Sequence, residues 1–288
     1  MKTHRLKFAV LVSANAEWEA VKSDFPNARI QKSSYGEYFF EPLNGQKVLF
    51  CHGGWGKVAA AASTQYFIDH FDPEYLINIG TCGGVEGRVR RFDVIVPDRV
   101  VVYDIYPAMG ESPREEISYY TTELDLPARF PTPAVRTTLY SADRDLTPAS
   151  LREIEELYRP VAVDWESGAI AWVAKQNTTP LLILRGVSDL VSFEKAEAQG
   201  NEALFVENAK RVMHGLIRDL SKWTRCIDAW SGRVYSGPPR DPLDSEPGLC
   251  FTSASPRCLD GGDVDFTHRH HCPESTFCLG ATSRKRIG

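Results

Sequence analysis

The chain has 288 residues, 43% of them hydrophobic and 25% charged, with a formal net charge of −5. That length suits one large α/β domain, or a domain with an appendage, and the composition is that of a soluble globular protein. The acidic balance, with a pI of about 5.8, offers no electrostatic footprint for nucleic acid or an anionic membrane, so neither is an expected partner.

In chain order, the N-terminus is basic, and the apolar run Phe8–Val12 is too short for a signal segment or a bilayer span. Phe8–Ser13 reads as a buried strand, and a cytoplasmic protein is the expectation. Glu17–Phe25 reads as a short helix stopped by Pro26. Tyr38–Glu41 and Lys47–Cys51 read as neighbouring strands joined at Asn44-Gly45, a favoured hairpin turn. A glycine-rich loop, Gly53-Gly54-Trp55-Gly56, opens into an Ala-rich helix over Lys57–Phe71. Leu76–Ile79 reads as a buried strand ending in Gly80-Thr81-Cys82-Gly83-Gly84, and Asp93–Tyr103 as one long, bent strand.

Residues 105–135 are Pro-rich and irregular, a place for a loop over a site, and carry Tyr106, Tyr119 and Tyr120, with Tyr103 just before them. Leu139–Ala142 is expected as a strand and Pro148–Leu157 as a helix capped by Thr147. The strand Val161–Val163, the helix Ser167–Lys175, the strand Leu181–Val187 and the amphipathic helix Glu202–Trp223 complete the pattern. Strands alternating with helices argue for a three-layer α/β/α domain over residues 1–225.

Residues 226–288 lack a sustained period and read as a tail. Five of the seven cysteines (Cys226, Cys250, Cys258, Cys272 and Cys278) gather there, leaving only Cys51 and Cys82 in the body, so the cysteines are no disulfide framework for the fold. The cluster His268-Arg269-His270-His271-Cys272 has ligand spacings too irregular for a zinc site, and no metal or other cofactor is expected.

Three constellations carry chemistry. The glycine loop before a helix permits close backbone approach to a ligand, although a plain strand-to-helix turn uses the same residues. It is neither a Walker loop nor a dinucleotide fingerprint. The stretch Gly80–Gly84 puts small residues at the carboxyl end of a buried strand, where α/β folds bind ligands. Cys82 within it has no flanking base and reads as a packed thiol rather than a nucleophile. The third is a set of carboxylates at element ends: Glu17, Glu19, Asp164, Glu166 and Asp189. Splitting a bond between a sugar carbon and a ring nitrogen needs an acid for the leaving heterocycle and a base for water. It also needs negative charge beside the sugar as it becomes cationic. Separated carboxylates supply all three without a metal, whereas any one alone reads as a cap or an ion-pair partner.

The segments Gly54-Trp55-Gly56-Lys57-Val58-Ala59-Ala60-Ala61, Asn78-Ile79-Gly80-Thr81-Cys82-Gly83-Gly84, Val163-Asp164-Trp165-Glu166 and Arg185-Gly186-Val187-Ser188-Asp189 resemble motifs of the nucleoside phosphorylase/nucleosidase superfamily. The resemblance covers about Lys7 to Lys222 and leans to the 5'-methylthioadenosine/S-adenosylhomocysteine nucleosidase branch. It implies a phosphorylase/hydrolase-like fold around a mixed twisted sheet and an N-ribosyl hydrolase of purine nucleosides, a small-molecule substrate, working as a homodimer. By that resemblance Asp189 is the acid that protonates purine N7, Glu166 binds the ribose hydroxyls, and Glu19 activates water, with a one-step slip placing Glu17 there instead. Trp165, Asp164, Thr81, Cys82, Gly83, Leu146, Ser188 and Arg185 fall on substrate-binding positions. The phosphorylases' Gly-Asp-Pro-x-Arg phosphate loop is missing, with Ala14-Asn15-Ala16-Glu17 in its place, which favours water over phosphate as acceptor. Ser141-Ala142-Asp143-Arg144-Asp145-Leu146 lacks the aromatic that the nucleosidases place over adenine.

Overall fold

In the computed structural model, residues 6–105 and 120–234 are described. Among them the elements are β1 (Phe8–Val12), α1 (Asn15–Asp24), β2 (Gln31–Lys32), β3 (Glu37–Leu43), β4 (Gln46–His52), α2 (Gly56–Phe71), β5 (Tyr75–Val85) and β6 (Val94–Val102). They continue with β7 (Thr121–Glu123), β8 (Val135–Ser141), α3 (Pro148–Tyr158), β9 (Ala162–Asp164), α4 (Ser167–Gln176), β10 (Leu181–Val191) and α5 (Glu202–Val234).

The three layers follow from the two-residue period of a strand buried on both faces. In β1, Phe8, Val10 and Val12 pack toward Trp18 of α1 and Met213, Leu216 and Leu220 of α5. The alternate residues Ala9 and Leu11 pack toward Ala60 and Phe67 of α2 and Ile170 and Val173 of α4. The sheet is mixed, as expected: β1 runs parallel to β4 and β5, whereas β5–β9, β10–β6 and β3–β4 are antiparallel.

Its topology is not an open ladder throughout. The strand order is β10-β6-β8-β9-β5-β1-β4-β3-β2, and β10 also pairs with β5, so β5, β10, β6, β8 and β9 close into a ring. β5 belongs to both parts: Leu76–Asn78 lie beside β1, and Gly83 and Gly84 pair with β9. The expected strand followed by a glycine loop is therefore one strand of 11 residues. Glycine is required at the crossing, because a Cβ on Gly84 would lie 2.7 Å from both Val187 Cγ1 and Val89 Cγ2.

The hairpin between β3 and β4 turns at Asn44 and Gly45, both left-handed with φ of 53° and 76°. The expected bend in the strand over Asp93–Tyr103 is a register irregularity between Pro97 and Arg99 of β6. Thr147 caps α3 by accepting from Ser150 N at 3.2 Å. The irregular stretch around residues 105–135 contains strand β7, paired antiparallel with β6. Tyr103 is buried and Tyr120 half-buried, while Tyr106 and Tyr119 lie outside the described residues.

The domain boundary expected at residue 225 falls inside α5, which runs on to Val234. Ile227 is only 2% exposed and Trp230 packs on the same core, so the apolar stripe of the helix continues past the change in composition. The remaining 235–288, with the His/Cys cluster, lie outside the described residues. No helix among the described residues is long and apolar enough to cross a membrane.

Candidate active site

The site is organised around a buried arginine. Arg185, in the middle of β10, is 1% exposed. Its Nη2 donates to Asn78 Oδ1 at 2.7 Å and pairs with Asp164 Oδ2 at 2.9 Å, and its Nε donates to Ser167 Oγ at 3.0 Å. Nη1 reaches Thr81 O at 3.4 Å, and Glu166 Oε2 lies 4.0 Å from Nη2. A guanidinium without water is tolerated only when its donors are met and its charge is balanced. Burial works against the charge, but the fields of Asp164, Glu17 and Glu166 outweigh it and raise the Arg185 pKa. Gly80 makes the close approach possible, since a Cβ there would sit 2.1 Å from Nη1.

A cavity of about 740 Å³ opens beside this hub, lined by Glu17, Asp164, Glu166 and Asp189 among others. Glu17 is 2% exposed. Its Oε1 accepts from Thr81 N at 2.6 Å and Thr81 Oγ1 at 2.8 Å, and its Oε2 from Ala14 N at 3.1 Å. Glu19 is elsewhere: its side chain is 70% exposed and pairs with Lys22 at 2.8 Å. At 3.6 residues per turn, two positions on a helix differ by about 200°, so only one of the two glutamates can face the strands. The expected placement of Glu19 at the site is not met: Glu17 lines the cavity, whereas Glu19 is exposed beside Lys22.

Glu166 follows β9 and is 6% exposed, with Oε1 accepting from Gly56 N at 3.2 Å. Burial pushes its pKa up to about 8; Arg185 and the Gly56 N–H oppose the rise, and Asp164 and Glu17 add to it. Asp164, 4% exposed, uses Oδ2 for both Arg185 and the N–H of Ser167, and so also caps α4.

Asp189 sits just after a register irregularity of β10 between Val187 and Asp189, which sets it in the cavity wall with Ser188. Ser188 Oγ donates to Asp189 Oδ1 at 2.6 Å, and Asn208 Nδ2 of α5 holds the Ser188 carbonyl at 2.8 Å. Burial raises the Asp189 pKa, the Ser188 bond lowers it, and the charges of Glu197 and Asp145 raise it further. A carboxyl kept protonated above its ordinary range is what an acid for a poor leaving group requires. Cys82, 4% exposed, lines the same wall, and burial pushes its thiol pKa well up, which suits a packed thiol rather than a nucleophile.

Of the sequence-predicted positions, Asp189, Glu166, Asp164, Trp165, Thr81, Cys82, Gly83, Leu146 and Ser188 line the one cavity, and Arg185 lies behind its wall. Several lining residues were not anticipated from sequence, Trp55 and Phe205 among them. Trp55 of the glycine loop packs on Trp165 with ring centroids 6.2 Å apart, and Phe205 comes from the first turn of α5. Phe205 follows the polar run Gly200-Asn201-Glu202, and no local signal distinguishes it from a core residue of the helix.

A ring of strands flanked by helices, with Glu17, Asp164, Glu166 and Asp189 lining one cavity, defines a phosphorylase-type α/β site, and the chain belongs to the phosphorylase superfamily, whose family model matches residues 7–220. Among curated proteins, it is 28% identical over 197 residues to the 5'-methylthioadenosine/S-adenosylhomocysteine nucleosidase of Marinomonas sp., covering 63% of this chain and 85% of the relative. The enzyme of the same name from Listeria innocua is 28% identical over 206 residues, 66% of this chain and 88% of the relative. Among solved structures, the Neisseria meningitidis nucleosidase in complex with methylthio-immucillin-A aligns with a TM-score of 0.61 at 23% identity, over 75% of this chain and 97% of that one. The Colwellia psychrerythraea nucleosidase in complex with adenine aligns at 0.62 and 20% identity, over 77% and 96%.

Proposed function

We propose that this chain hydrolyses the N-glycosidic bond of an adenine nucleoside carrying a 5'-thio substituent, 5'-methylthioadenosine or S-adenosylhomocysteine being the expected substrates. The observation that carries the reading is the convergence of Glu17, Glu166 and Asp189 on one cavity from three separate parts of the chain. Asp189 gives its proton to N7 as the bond to C1' breaks, and the sugar becomes oxocarbenium-like. Glu166 holds the ribose hydroxyls beside the developing cation. Water then adds to C1' and passes a proton to Glu17, whose carboxylate is aimed by Thr81 and the Ala14 N–H. The products are free adenine and the 5'-thioribose.

Water is the acceptor in this reading because the described lining residues offer little cationic charge to hold phosphate. Among its described lining residues the cationic side chain is Arg144, which donates to Glu153 Oε2 at 3.0 Å. Arg185 is committed to Asp164, Asn78 and Ser167. The working form in this reading is a homodimer, since Trp55 of the cavity lining and Val58 in the helical turn after it are 65% and 84% exposed. A cytoplasmic place in methionine salvage accompanies the same reading.

The test is release of free base from a panel of nucleosides, with and without phosphate. Phosphate-independent release of adenine from 5'-thio nucleosides is expected. Strictly phosphate-dependent release, with ribose 1-phosphate as product, would point to a phosphorylase, and tight binding without turnover to a sensor.

A further inference from the structure

The N-terminus of α2 meets the site in an unusual way. Its N-cap residue, Trp55, supplies no side-chain cap, and Gly54 and Gly56 flank it with left-handed φ of 81° and 79°. A loop of that kind has little rigidity of its own. Its exposed N–H groups are nevertheless met from outside the helix: Gly56 N donates to Glu166 Oε1 at 3.2 Å and Lys57 N to Asp143 Oδ1 at 2.7 Å.

Lys57 closes the arrangement. Its ammonium donates to both carboxylate oxygens of Asp104, just beyond β6, and lies 3.7 Å from Asp143 Oδ2, just beyond β8. Asp143 N in turn donates to Asp104 Oδ2 at 2.9 Å. Lys57, Asp104 and Asp143 therefore form a closed hydrogen-bonded ring tying the start of α2 to two strand ends. The Lys57 and Asp104 side chains are 21% and 17% exposed, so the pair is screened less than a surface pair would be. Gly56 lies against this ring, its Cβ position only 3.2 Å from Asp143 Oδ1.

We propose that Lys57 is a positioning residue for Glu166: the Lys57–Asp104–Asp143 ring fixes the Gly56 N–H against the Glu166 carboxyl, and so sets the orientation in which Glu166 meets the ribose hydroxyls. The inference rests on Glu166 serving a nucleoside as described above. It makes Lys57, which touches neither cavity nor substrate, matter through one hydrogen bond.

A double-mutant cycle with 5'-methylthioadenosine tests it, comparing the parent, Lys57→Met, Glu166→Gln and the double variant. Lys57→Met is expected to lower kcat/KM about tenfold in the parent and by less than about twofold once Glu166 is an amide. Asp104→Asn, which leaves the loop sequence intact, is expected to show the same non-additivity and serves if Lys57→Met does not fold. Equal losses in both backgrounds, or no loss in the parent background, overturn the inference while leaving the enzymatic reading standing. A parent protein that releases no base overturns both.

Discussion

At the scale of single residues, the site separates two glutamates that lie two positions apart. Glu17→Gln is expected to lower kcat by roughly 10²–10⁴-fold, the usual worth of a general base. Glu19→Gln removes only an exposed pair with Lys22 and is expected to leave kcat/KM within about twofold. Steady-state assays of the two amides decide it, and an inactive Glu19→Gln beside an active Glu17→Gln would reverse the assignment. Sequence alone left these two open because the carry-over rests on alignment, and a slip changes which face of the helix is read. By contrast Asp189, Glu166 and Arg185 were legible, since each lies in a motif whose flanking residues are themselves strand or cap.

The proposed acid, Asp189, and the proposed ribose ligand, Glu166, differ in how pH acts on them. Ser188→Ala removes the donor that favours ionised Asp189, so the alkaline limb of kcat is expected to move to higher pH. Glu197→Gln removes a repelling charge and should move it lower. Shifts of the same sign in both variants would exclude Asp189 as the acid. Glu166 acts on stability instead. Its pKa is about 8 in the fold against an ordinary 4.5, so the native state holds a proton that the unfolded chain has lost between those values. Stability from this group is therefore fully present below about pH 4.5 and declines as pH rises to about 8, at up to about 1.4 kcal/mol per unit. Urea unfolding of the parent and Glu166→Gln should diverge over that window, the amide gaining a few kcal/mol relative to the parent. A constant difference between the two across pH would show that Glu166 ionises normally.

At the scale of elements, most strands and helices follow from their periodicity, and the departures have a common cause. The glycines of β5 have no side chains to show a two-residue alternation, so its second half read as loop although it pairs with β9 and β10. The end of α5 was concealed by composition: Arg225-Cys226 opens a polar stretch, yet Ile227 and Trp230 keep the helical spacing of the stripe begun by Leu216, Leu220 and Trp223. Truncation after Trp223 is accordingly expected to cost at least about 4 kcal/mol, since it strips two large apolar side chains from the core. Truncation after Val234 keeps both and is expected to preserve the thermal midpoint. Equal midpoints for the two truncations would show that the last turns of α5 add nothing. The ring closure of five strands had no sequence signature at all, because it depends on a β5–β10 pairing across more than a hundred residues.

At the scale of the whole molecule, the open side of the cavity is where an assembly would act. Trp55 and Val58 stand exposed on the glycine loop and the first turn of α2, and Trp55 packs on Trp165 in the cavity lining. Light scattering coupled to size exclusion is expected to give twice the chain mass. Trp55→Ala should then raise KM more than it lowers kcat, because the indole walls the cavity without touching a transferred proton. A fully active monomer would remove the dimer from the reading and leave the cavity as described.

The strand that closes the ring also carries the one buried cation among the described residues. Until β10 takes its place between β5 and β6, Glu17, Asp164 and Glu166 would crowd together with no arginine among them. Carboxylates crowded without a cation repel, so the half-built ring is electrostatically self-opposing and should stay loose and water-filled until Arg185 arrives. Acid would relieve that repulsion by neutralising the carboxylates. Refolding is therefore expected to be faster at mildly acidic pH than at neutral pH, an acceleration that Arg185→Met would enlarge. The groups proposed for catalysis would thus also slow assembly wherever β10 joins after them.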